Sequence, residues 1–333
     1  MVTLARAAHG RDSLRRAALT LVDIAWWLLF LLLLLAMLLP SLSRARELAK
    51  RQVCMSNLRG VLQGAHIYAN DNVEWFPVHY SGAEPGSDGA APAETNHRYI
   101  GTMGSHEFLK ISQPTSPTIS PTRSHPSRSL FLSVTQGYST PGHFICPTSP
   151  DQEDELRNYG GDSTRGEDSA AQPGVTRFDF RGYDALSFGY QMPFGRRGKP
   201  RVAMDVRVVV VADKGPYFRA GSGGLFRTTD DAAVAGDGAP RGIGRTFEEI
   251  ARAPEAAWRP YNSRNHGGEG QTAGFVDGHA DFVKRPTVGL KNDNIYTLAD
   301  DFASPLAAVI GRDPGEDDGR YGPLTNTDSL IVP

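Results

Sequence analysis

The stretch LTLVDIAWWLLFLLLLLAMLLP, Leu19 to Pro40, has Asp23 as its one charge and is wholly apolar from Ile24 to Leu39. Leucine on every face suits a helix surrounded by lipid; a surface helix of a globular domain would keep one polar face. With Leu19 to Val22 added, the run is just long enough for a bilayer, which takes about 20 residues at a rise of about 1.5 Å each. Asp23 stands out. A carboxylate inside an apolar span costs about 2.5–3.5 kcal/mol on insertion scales, so it calls for a partner.

Upstream, residues 1–18 form a basic leader with Arg6, Arg11, Arg15 and Arg16 against Asp12. A cleavable secretory signal needs a shorter apolar core and a small-x-small site, and Ser41-Leu42-Ser43 offers only a poor one. A signal anchor fits the hydropathy. Charge leaves its orientation open, because Arg44, Arg46, Lys50 and Arg51 follow the span as densely as the leader arginines precede it. Beyond Pro40, Leu42, Ala45, Leu48 and Ala49, then Cys54, Leu58, Val61, Leu62 and Ala65 recur at three- and four-residue steps. That spacing predicts an amphipathic helix over 41–72 continuing the span of 19–40. A helix half in lipid and half in a soluble head suits a subunit that packs beside copies of itself.

The remainder is ordinary for a folded protein, with 40% hydrophobic and 22% charged residues. A net charge of −2 gives no electrostatic footprint for nucleic acid. Scattered glycine and proline favour short strands and many loops, so residues 73–303 read as a β-rich antiparallel head and 304–333 as an extended tail. Ser81 to Thr95, Ser112 to Ser129 and Gly160 to Gly174 are loops by composition. Ala185 to Gly195 is a strand and turn, and Val206 with Val208 to Val211 is the strongest buried-strand signal. Asp213 and Lys214 follow as a charged strand-to-loop junction. Ala220 to Leu225 lacks the lysine of a phosphate loop, and neither a G-x-S-x-G elbow nor an H-E-x-x-H helix occurs, so no enzyme is expected. Cys54 and Cys146 either form a single disulfide or remain two buried thiols.

The segment HGGEGQTAGFVDGHADFV, His266 to Val283, contains two strand-like runs around Asp277-Gly278. Asp-Gly suits a type I′ turn, which predicts a hairpin over 272–283 with Val276 facing His279 and Phe275 facing Ala280. In that register Ala273, Phe275, Ala280 and Phe282 share an apolar face, while Thr272, Gly274, Val276, His279, Asp281 and Val283 share a wetter one. His279 and Asp281 project together; were His266 to fold over them, the three would suit zinc or another divalent ion. Alternatively His266 packs on the hairpin and hydrogen-bonds its turn. Asn292 to Thr297, with Asp300 and Asp301, is read as a solvated acidic segment in preference to a calcium loop.

The N-terminal residues resemble type IV pilins and type II secretion pseudopilins, whose mature chains begin F-T-L-x-E and whose apolar stretch ends in proline. With Leu19 as the first mature residue, Asp23 falls on the family's glutamate and Pro40 on its proline. Ala18 stands where the family prefers glycine. The continuation to Phe76-Pro77, and the segment NSRNHGGEGQTAGFVDGHADFVKRP, are similar to prepilin-like proteins of planctomycete-type bacteria. Their C-terminal element places a histidine ahead of an Asp-Gly, matched here by His266, Asp277 and Gly278 with one residue inserted. The resemblance implies an α+β, pilin-like fold and cleavage between Ala18 and Leu19 by a prepilin peptidase. It also implies a structural role, packing the N-terminal helix against homologous subunits in the cytoplasmic membrane, with the N-terminus inside and the head in the envelope. A retained leader serving as permanent anchor is the alternative to cleavage. The rival function is an anchored envelope protein whose head binds a metal or glycan.

Overall fold

The computed structural model describes residues 21–78, 126–154, 156, 180, 183–193, 200–216, 246–297, 323, 325 and 327–332. The leader, Ala18, Leu19 and the loops at 81–95 and 160–174 lie outside them.

Helix α1 is continuous over Leu21–Asp71, about 75 Å at the α-helical rise. Contacts divide the chain into two units, Met1–Leu48 and Ala49–Pro333. In the first, every large apolar side chain from Leu21 to Leu39 is at least 40% exposed. Among the described residues α1 is the one helix long and apolar enough to cross a membrane. The predicted amphipathic stripe starts later than its spacing suggested. Leu42 and Leu48 are half exposed, and the buried face runs from Cys54 through Leu58, Val61, Leu62, Ala65 and Ala69.

The second unit is built on a five-stranded antiparallel sheet in the order β4-β3-β2-β1-β5. Its strands are β1 Phe188–Gln191, β2 Val209–Asp213, β3 Gln271–Phe275, β4 Ala280–Val283 and β5 Ile331–Val332. The architecture is α+β, as expected. One core layer joins the buried face of α1 to Val208, Val210, Val211, Val276 and Ala280, and to Phe131 of helix α2, Pro126–Thr135. Val209, Ala212, Ala273, Phe275, Ile295, Tyr296 and Ile331 form a separate cluster. A third gathers Ile250 of the short helix α3, Phe247–Arg252, with Trp258 and Tyr261. Helix α3 opens with a capping box in which Thr246 and Glu249 satisfy each other's backbone N–H.

Several expectations are corrected. The last residues of the Ser/Pro-rich stretch 112–129 begin α2, with Pro126 as its first residue and Ser127 and Ser129 buried; proline suits that position because the first helical N–H has no intrahelical partner. The end of the tail is not an extension: Leu330 and Ile331 are buried, and β5 pairs with β1. Asp293 to Thr297 is buried as well, because Ile295 and Tyr296 fill the second cluster and Tyr296 Oη donates to the Asp213 carbonyl at 2.9 Å.

The hairpin forms, in a different register. Gly274 pairs with Ala280 and Thr272 with Phe282, so the loop has three residues, Val276, Asp277 and Gly278. Gly278 N–H donates to Phe275 O at 3.0 Å and Gly278 has φ +90°, whereas Asp277 is not among the residues with positive φ. A type I turn followed by a left-handed glycine therefore replaces the type I′ turn. Val276 decides the outcome: its N–H donates to Val208 O at 3.1 Å and its side chain joins the α1-facing core. The one-residue shift exchanges the face assignments of β4 relative to β3. Thr272, Gly274, Ala280 and Phe282 turn toward α1; the expected wetter face of β3 is buried.

Candidate functional site

Four side chains from four separate segments converge inside the second unit. Cys54 Sγ, Cys146 Sγ, a carboxylate oxygen of Asp213 and a ring nitrogen of His266 all lie within 4.8 Å of one another. Relative exposure is 0% for Cys54, Cys146 and Asp213, and 3% for His266.

Each arrives by a local device. Cys54 opens the buried stripe of α1, and one and two turns on, Leu58 and Leu62 press against β3. A Cβ on Gly274 would stand 2.8 Å from Leu62 Cδ1 and 3.1 Å from Leu58 Cδ2, so glycine is what lets the strand come this close. Cys146 follows the short 3-10 helix Pro141–Phe144 and is fastened through its neighbour, since Asn57 Nδ2 of α1 donates to Ile145 O at 2.8 Å. His266 sits in the turn before β3, where Gly267 and Gly268 take φ +64° and +76°. A Cβ on Gly268 would meet Arg259 O at 2.8 Å. The His266 ring packs edge-on against Phe282, centroids 5.2 Å apart.

Asp213 reaches the cluster because β2 carries an irregularity. Val209 pairs with Phe275 and Val211 with Gly274, with the register shifting between Val209 and Val211. Strict alternation from Val209 would aim Asp213 at the second cluster with Val209 itself. The extra residue puts Val210 and Val211 both in the α1-facing layer, Ala212 opposite, and Asp213 toward Cys54. Bulges commonly re-aim side chains in this way. The charged-junction reading of Asp213 and Lys214 is thus corrected: both are buried, and Lys214 Nζ binds Asp151 Oδ1 at 2.9 Å.

Within the cluster, Cys146 Sγ and Asp213 Oδ2 each stand 3.5 Å from the same imidazole nitrogen, His266 Nε2, and Cys54 Sγ is 3.7 Å from Asp213 Oδ1. The other ring nitrogen, Nδ1, is 3.0 Å from Thr148 Oγ1. Asp213 also accepts from Thr272 N–H at 2.5 Å and Asn265 Nδ2 at 2.8 Å. Thr272 Oγ1 donates to Cys54 Sγ at 3.4 Å. Burial raises the Asp213 carboxyl to about 6, partly opposed by His266 and its two N–H donors. Burial also pushes the Cys54 thiol up. A hydrogen bond from Cys54 lowers Cys146 to about 4, against desolvation and with help from His266.

This is not a nucleophile–base–acid relay. In such a relay thiol and carboxylate meet opposite ring nitrogens, the acid orienting the base from behind. Here both meet Nε2, and the buried thiol has no exposed face for a substrate.

Cys54 and Cys146, either a disulfide or two buried thiols by sequence, lie within 4.8 Å of each other with both sulfurs unbridged. The triad of His266, His279 and Asp281 is not assembled. His279 stacks on Phe275, centroids 4.1 Å apart, and its Nδ1 contacts Asp277 Oδ1; Asp281 is exposed and pairs with Ala273. Alternation along β4 puts Phe282, which His266 meets, on the opposite face from both. Asp213, Thr148, Asn265 and Thr272 escaped the sequence reading because no short spacing joins them to the cysteines. The faint signal was an acid ending the most apolar strand. Asp23 and Pro40 both fall in α1, with Asp23 in its first turn.

Set against family models, curated proteins and solved structures, the chain matches none of them.

Proposed function

We propose that the protein is a non-enzymatic, membrane-anchored structural subunit of the pilin-like kind, packing α1 beside the helices of related subunits in a type II secretion or type IV pilus-like assembly. The supporting observation is the division of α1: apolar and exposed on all faces over its N-terminal part, buried on one face in the head from Cys54 onward. The exposed part, about as long as a bilayer is thick, needs lipid or neighbouring helices around it. In this reading the N-terminus lies in the cytoplasm and the head in the envelope.

Cleavage between Ala18 and Leu19 would leave a new amino group four residues before Asp23. Pairing of Asp23 with that amine on an adjacent subunit offsets the cost of a carboxylate in lipid. Asp23 also lies in the first turn of α1, where the helix dipole favours negative charge. Mass spectrometry of the purified chain tests the reading. A chain starting at Leu19 is expected; one that keeps residues 1–18 removes the amine-pairing step and leaves a plain anchor.

A further inference from the structure

We infer that Cys54, Cys146, Asp213 and His266 form a structural zinc site, which goes beyond the role assigned to α1. The donor set comes first. Two sulfurs, an imidazole and a carboxylate suit a borderline-soft ion that tolerates tetrahedral N, O and S ligation, and zinc is the common one. Zinc sits about 2.0 Å from nitrogen or oxygen and about 2.3 Å from sulfur, so the edges of its ligand tetrahedron run about 3.3–3.8 Å. The Cys146 Sγ–His266 Nε2 and His266 Nε2–Asp213 Oδ2 separations, 3.5 Å each, fall in that range, and the four donor atoms lie within 4.8 Å of one another, close enough for small side-chain shifts to complete the tetrahedron. The imidazole–carboxylate separation is long for a direct contact: an N–H···O bond runs about 2.7–3.2 Å. Four buried donors gathered this closely, with the imidazole and carboxylate held short of a full hydrogen bond, form the arrangement an ion completes.

The surrounding shell supports the same assignment. A zinc-binding histidine fixes its ring through the nitrogen that faces away from the metal. His266 Nδ1 does so with Thr148 Oγ1 at 3.0 Å, leaving Nε2 facing the cluster. The carboxylate is likewise held by two N–H donors, one on each oxygen, with lone pairs to spare. All four donors belong to the protein and all are buried, the pattern of a closed structural site without an open coordination position for substrate. Binding holds both sulfurs as thiolates, any proton they still carry passing to solvent, and ties α1, the Cys146 loop, β2 and the turn before β3 to one point.

The test is metal analysis of the full-length chain purified in detergent, together with cobalt substitution. About one zinc per chain is expected, with cobalt giving thiolate charge-transfer and tetrahedral d–d bands. Cys146→Ser and His266→Ala should abolish stoichiometric binding, while His279→Ala and Asp281→Asn should leave it intact. Because donor variants can misfold, Thr148→Val supplies a second measurement: all four donors remain, and zinc affinity in chelator competition should fall by about 10–100-fold. Three results would each overturn the assignment. One is a metal-free chain with two reactive thiols. Another is a chain without free thiols whose mass is lower by the two thiol hydrogens, which would make the pair a disulfide. The last is zinc fully retained in His266→Ala.

Discussion

Asn57 of α1 donates a hydrogen bond of 2.8 Å to the carbonyl of Ile145, the residue before Cys146. Asn57 lies one helical turn beyond Cys54, so a single contact sets the distance between the two cysteines from both sides. Asn57→Ala should destabilise the fold by about 1–2 kcal/mol, read as a lowered midpoint in urea. Both thiols should also react faster with a maleimide probe in the native state. Unchanged thiol reactivity would show that the Cys146 loop is held by other contacts.

At Gly274, β3 lies close against Leu58 and Leu62 of α1. Gly274→Val should cost about 1–3 kcal/mol by forcing Leu58 and Leu62 off their positions, and Gly274→Ala less, because Leu62 Cδ1 is the end of a side chain that can shift. Thermal unfolding of both variants gives the order.

The hairpin loop makes a different prediction. With φ +90° at Gly278 and a negative φ at Asp277, Gly278→Ala should destabilise by about 1–2 kcal/mol. Asp277→Asn should be nearly neutral, since asparagine can still accept from His279 N–H as Asp277 does at 3.1 Å. Asparagine would be tolerated equally in a type I′ turn, so Asp277→Ala separates the two. Here it loses only the acceptor, whereas a turn that needs φ > 0 at that position would add a further penalty of about 1 kcal/mol.

Asp293 carries a pH signature. Burial, then the nearby Asp328, raises its carboxyl well above the ordinary range, against one hydrogen bond from Ser329 N–H at 2.8 Å. The folded state therefore holds a proton that the unfolded chain has released, and stability falls as pH rises from the ordinary aspartate value through the raised one. Asp293→Asn keeps an acceptor for Ser329 and removes the titration. It should melt higher than the parent at pH 8, with the gap closing toward pH 4. An equal gap at both pH values would assign the effect to packing.

The unit boundary at Leu48/Ala49 predicts that a chain starting at Ala49 folds without detergent and keeps the buried face of α1. Its far-ultraviolet circular dichroism should show a cooperative melt. Aggregation in place of a melt would mean that the membrane half contributes to the head's stability.

Much of the architecture could be read locally. The apolar run before Pro40, the three- and four-residue spacing after Cys54, the valine run at 208–211 and the Asp-Gly between two short strands all report structure within a few residues. The register of that hairpin could not, because two- and three-residue loops suit the same Asp-Gly, and the choice depends on Val276 binding Val208 across the sheet. Nor could the burial of Asp293 to Thr297 or the pairing of β5, which rest on partners far along the chain.

The site lies at the far end of that scale. Sequence supplied its chemistry: two cysteines, a histidine before a glycine pair, and an aspartate closing a strand. Their meeting depends on an irregularity in β2 that turns Asp213 toward α1, on a glycine that admits the helix to β3, and on the Asn57 contact that seats the Cys146 loop. Each is a long-range packing decision, in which side chains remote in sequence compete for the same space. Local propensity has no term for that competition, so residue types were fixed by the chain and their convergence by the core that formed around them.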